Sequence, residues 1–122
     1  LLAWETPFMS HLFPNVWISM GAHLGELSVF VEGEKRWRVS FESAVAVKIC
    51  DESFDQNARF HVERDRQQLC SYTWADSSWL REFQTELAEL LEGSPLCHYV
   101  FLGGNHNVEI MALGSVEIEL AS

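Results

Sequence analysis

The stretch ADSSWLREFQTELAELLEGSP, residues 75–95, decides how this chain folds. Asp76, Ser77 and Ser78 each offer a side-chain oxygen to the orphan amides that open a helix. Trp79, Leu80, Phe83, Leu87, Leu90 and Leu91 then recur at helical spacing and form one apolar stripe. Gly93 suits the left-handed position just past a helix end, and Pro95 blocks continuation. The spacing predicts one long helix over about 77–92, with Glu82, Glu86 and Glu89 on the opposite face.

A stripe this apolar must lie against something, and the flanking sequence supplies a sheet. Leu27, Val29 and Val31 alternate along one segment, and Trp37, Val39 and Phe41 along the next. Glu32-Gly33-Glu34 lies between them as a turn, so 27–41 reads as a hairpin with Arg36, Arg38 and Ser40 on its wetter face. Val16–Met20 precedes it with the same period of two. Ala44–Cys50, Arg59–Glu63 and Leu69–Trp74 are further strand segments. After the helix, Cys97–Leu102 and Val108–Leu113 flank the turn 103–107, and Val116, Ile118 and Leu120 alternate in a last strand. Thr6-Pro7 pairs a capping residue with a favoured first helical residue, predicting a short N-terminal helix that stops before Pro14.

With one long helix and hairpin connections, the fold class expected is α+β. It is a mostly antiparallel sheet of about five to seven strands with the helix packed on one face. The 122 residues read as a single domain, 1–122, with no repeat, low-complexity tract or linker.

Charge sets the class of partner. Eight basic side chains against 18 acidic ones give −10, and residues 67–122 hold eight acids against the single Arg81. Affinity for nucleic acid comes mainly from Lys and Arg on phosphates, so neither nucleic acid nor an anionic membrane surface is an expected partner. No apolar run approaches the length of about 18 residues that spans a bilayer. No cationic, apolar leader is readable either. Cys50, Cys70 and Cys97 cannot all pair within one chain and form no C-x-x-C arrangement, so reduced thiols and a cytoplasmic setting are expected.

Signatures of catalysis are sparse. The segment 51–57 resembles the opening of a calcium loop, but Gln56 stands where the turn needs Gly and Val62 where a bidentate Glu belongs. His11, His23, His61, His98 and His106 show no metal-ligand spacing, although His61 and Glu63 share a strand face as a candidate acid–base pair. Cys97 and His98 are adjacent in a strand, so their side chains point to opposite faces and cannot form a dyad. No metal, cofactor or catalytic residue is assigned. The basic side chains Lys35, Arg36, Arg38, Arg59, Arg64 and Arg66 are read as neutralised across strands by Glu26, Glu32, Glu34, Glu63 and Asp65.

Two functional classes follow. The first is a non-enzymatic acidic protein-interaction module, in its most concrete form an immunity- or antitoxin-like inhibitor of a basic protein, with Glu82, Glu86 and Glu89 as partner-binding residues. Like charges at i,i+4 weaken a helix slightly, so an uncompensated row is explained by solubility or by a basic partner. The alternative is a small-molecule-binding domain, with an aromatic pocket between sheet and helix lined by Trp17, Trp37 and Trp79. Open sheet edges make a homo-oligomer compatible with either class.

Overall fold

In the computed structural model, residues 1–11, 13–51, 69–86 and 95–121 are described. The described elements are β1 (Leu2–Ala3), β2 (Asn15–Met20), β3 (Leu27–Glu32), β4 (Arg36–Asp51), β5 (Ser71–Thr73), α1 (Ser78–Glu86), β6 (Leu96–Leu102) and β7 (His106–Ala121). The strands form one antiparallel sheet in the order β1-β5-β6-β7-β4-β3-β2. The expected sheet of up to seven strands is therefore present, and the described residues are mostly β.

Three expectations are met only in part or not at all. The helix is described over Ser78–Glu86, nine residues, so a long helix to 92 is not shown; Leu87, Glu89, Leu90 and Leu91 lie outside the described residues. Pro7–Ser10 form turns rather than a helix, with Met9 N–H donating to Thr6 O at 3.3 Å and His11 N–H to Phe8 O at 3.0 Å. The seven residues from Pro7 to Phe13 are too few to offset the cost of helix nucleation. Third, the hairpin strand at 37–41 and the segment 44–50 are one strand, β4, and the two C-terminal segments are likewise one strand, β7. The segments 51–57 and 59–63 call on residues outside the described ones, Asp51 excepted as the last residue of β4.

The 16-residue strands β4 and β7 are the spine. They run in register from Arg36↔Ala121 to Phe41↔Val116 and again from Ala46↔Met111 to Asp51↔His106. Between these runs sit two irregularities, Phe41/Ser43 and Ala44/Ala46. In the first, two steps along β4 oppose three along β7; in the second, two oppose one. The two offsets cancel, so each strand keeps the same residues on the same face across the bend while the local twist rises. One end of the spine carries β3 and β2 beyond β4, and the other carries β6, β5 and β1 beyond β7.

The two ends fold over a shared core. Val29, Val31 and Val39 from one end and Phe101, Val108 and Ile110 from the other belong to one buried cluster, each at 1% exposure or less, although β3 and β6 are not neighbours in the sheet. The closure is pinned by Asn105, in the β6–β7 turn. Its Oδ1 accepts from Val16 N–H and its Nδ2 donates to Val16 O, both at 3.0 Å. The turn lies so close that a Cβ at Gly104 would stand 2.8 Å from Phe13 O, and one at Gly103 would stand 2.9 Å from Val16 Cγ2. Glycine is required there for close approach, not for a phosphate.

Helix α1 covers the opposite face of the second end. Leu80, 3% exposed, joins Leu96 and Met111, with Ala46, Trp79, Phe83 and Leu113 packed around them. No described helix is long and apolar enough to cross a membrane. Cys50, Cys70 and Cys97 are free thiols.

Candidate functional sites on the two outer faces

Beneath α1 lies a chain of polar contacts that the sequence reading did not assemble. Ser77 is the N-cap of α1, its Oγ accepting from Leu80 N–H at 3.1 Å. The same Oγ is 2.6 Å from His98 Nδ1, and His98 Nε2 is 2.7 Å from Glu109 Oε1. Lys48 Nζ approaches Glu109 Oε2 at 3.6 Å. Cross-strand pairing explains the geometry: Lys48↔Glu109 and His98↔Met111 place these side chains on the helix-facing side of β4, β7 and β6. With its proton on Nε2, His98 donates to Glu109 and accepts from the Ser77 hydroxyl, so each contact has one donor and one acceptor. Trp74 stacks on the imidazole at 5.5 Å, and Trp79 meets it edge-on at 5.1 Å.

A hydroxyl, an imidazole and a carboxylate in line are the parts of an activated nucleophile. Here they hold structure. Ser77, His98 and Glu109 are 4%, 2% and 3% exposed, and the Ser77 oxygen is already engaged by the helix amide. What the arrangement does is fix the start of α1 to the sheet through satisfied hydrogen bonds in a dry environment, where unpaired groups would be expensive. The signal available in sequence was Glu109, an acid inside the apolar run Val108-Glu109-Ile110-Met111; a carboxylate in such a run needs a partner.

The other outer face, on β2, β3, β4 and the C-terminal half of β7, has no described element packed over it. Its cross-strand rows are Trp17↔Phe30↔Arg38↔Glu119 and Ser19↔Ser28↔Ser40↔Glu117. Trp17 and Phe30 stack at 5.4 Å, with the Arg36 guanidinium 5.3 Å from the Trp17 ring centre and that of Arg38 6.0 Å from Phe30. Arg36 Nε donates to Glu32 Oε2 at 2.7 Å, whereas Arg38 Nε donates to Ser28 Oγ at 3.0 Å and its Nη1 stands 3.9 Å from Glu119. Among the described residues, neutralisation across strands thus operates through Glu32 and Glu119, not through Glu26 or Glu34. Arg59, Glu63, Arg64, Asp65 and Arg66 lie outside the described residues.

The remaining candidates separate in space. Trp17 sits on the open face, Trp37 packs partly buried against the main core, and Trp79 packs on the helix-covered face. The three therefore occupy three environments. Glu82 and Glu86 are exposed on α1 and have no cation within ion-pair distance among the described residues; Glu89, like His61, lies outside them. No group of metal-ligating side chains occurs among the described residues.

Burial governs the thiol and phenol chemistry. Desolvation pushes the Cys70 thiol up to about 12, although its own backbone amide partly offsets the rise. The Tyr99 hydroxyl is also raised to about 12, first by burial and then by the neighbouring Cys97. Neither group ionises near neutrality, so neither supplies a nucleophile. Compared with known protein families, with curated proteins and with solved structures, the chain matches none.

Proposed function

We propose that the protein is a non-enzymatic interaction module that captures a basic protein partner, in the manner of an immunity or antitoxin protein masking a cationic surface. The observation that supports this reading is a negative surplus that the fold leaves unmatched. Among the described residues, Glu26, Glu34, Glu42, Glu82, Glu86 and Glu117 have no cation within ion-pair distance, in a chain of formal charge −10. A field of one sign focused on an exposed surface accelerates encounter with an oppositely charged partner. The acidic row of α1 acts in that field as a long-range attractor.

Stopped-flow association with a panel of small basic proteins, repeated with acidic proteins of equal size, tests the reading. Saturable binding is expected for a basic member only, with an association rate that falls steeply as salt rises. Glu82→Lys with Glu86→Lys is expected to slow association by about tenfold. Absence of binding to every basic protein, or association rates indifferent to salt, overturns it.

A further inference from the structure

We propose that the open outer face of β2, β3, β4 and β7 is the surface on which the basic partner docks, and that a hollow beside Arg38 receives one of its arginine side chains. This rests on the basic-partner reading and adds where contact is made and by which group. The hollow arises from side-chain length. Ser28 and Ser40 form a low row between the tall Trp17–Phe30–Arg38–Glu119 row and the side chains of Glu26 and Glu42. Gly21 widens it: a Cβ there would stand 2.4 Å from Glu26 Cβ, so only glycine lets the Glu26 side chain fold across the end of the trench.

Size decides what can enter. The hollow holds about 170 Å³, below the roughly 300–1,000 Å³ of sites that enclose a small molecule. It suits a single long side chain presented by a larger partner. Charge decides which side chain. Glu26, Glu42 and Glu117 line the hollow without a cation in ion-pair distance among the described residues, and the one lining cation, Arg38, is directed to Ser28 and Glu119. These carboxylates form no metal-holding group. A guanidinium brings five N–H donors in a planar fork, which spans more widely separated acceptors than the three donors an ammonium carries on one nitrogen. The half-buried Trp17 and Phe30 at the rim give the partner backbone an apolar, rigid footing of the kind that anchors interfaces.

Anisotropy of a labelled hexa-arginine peptide, with a hexalysine peptide as control, tests the assignment at salt of about 0.15 M. Wild-type protein is expected to hold the arginine peptide at least about tenfold more tightly than the lysine peptide. Glu42→Gln with Glu117→Gln, and separately Ser40→Leu, which fills the hollow without altering charge, are each expected to raise the dissociation rate by about tenfold. Glu82→Gln with Glu86→Gln is expected to change association alone. Unchanged dissociation in Ser40→Leu, or equal affinity for the two peptides, overturns the hollow as the site and leaves the basic-partner reading standing. No binding of either peptide overturns both. Circular dichroism of each variant separates loss of contact from loss of fold.

Discussion

The two outer faces of this sheet carry similar materials and use them differently. Under α1, Glu109, His98 and two tryptophans meet in a buried layer, which Lys48 reaches from a half-exposed position. On the open face, Arg36, Arg38, Glu119, Trp17 and Phe30 meet in an equivalent mixture of charge and aromatic surface, with both arginine side chains nearly half exposed. The Ser77–His98–Glu109 contacts are shielded from water and hold elements together. Those on the open face compete with solvent and leave donors and acceptors for another molecule. Burial, more than residue type, separates scaffold from surface.

The sharpest way to break this comparison is to remove Glu109. Glu109→Ala strands the buried His98 donor, and is expected to lose about 3–5 kcal/mol in chemical denaturation. Replacing His98 by Phe and Glu109 by Leu together should lose less than Glu109→Ala alone, because the imidazole and the carboxylate leave together and only the Ser77 hydroxyl loses a partner. Ser77→Ala removes both the helix cap and the donor to His98, with an expected loss of about 1–2 kcal/mol. On the open face, Arg38→Ala should cost below about 1 kcal/mol. A loss there equal to that of Glu109→Ala would end the argument from burial.

Alkali probes the shared core. Cys70 and Tyr99 are both raised to about 12 in the folded chain, against 9.0 and 10.0 for the unperturbed groups. The unfolded chain therefore releases these protons first. Stability from the two groups is fully present below about pH 9 and declines as pH climbs toward 12. Urea midpoints measured across that range, with Cys70→Ala for comparison, check the sign: the wild-type midpoint falls with rising pH, and the fall is smaller in the variant.

Much of the sheet was legible because strand alternation is a local signal. The 27–41 hairpin, the strand at 16–20 and the capping role of the 76–78 segment follow from neighbours a few residues apart. The union of 37–41 with 44–50, and of 108–113 with 116–120, was not legible. Each bulge reads in sequence as a break, and only the opposing strand shows that the two offsets cancel. The Ser77–His98–Glu109 line was hidden for a related reason: its members are 21 and 11 residues apart and meet through strand register. The separation of Trp17, Trp37 and Trp79 likewise depends on face parity across a folded-over sheet.

Because β4 and β7 each serve both ends, the described sheet has no seam along which it could be divided. A protease cut at the bend would leave every fragment with half a ladder and an uncovered apolar side, so neither half is an independent folding unit. Heat or denaturant should accordingly find one cooperative transition, and amides of the 36–41 and 108–113 segments should exchange with solvent at a common rate despite lying at opposite ends of the molecule.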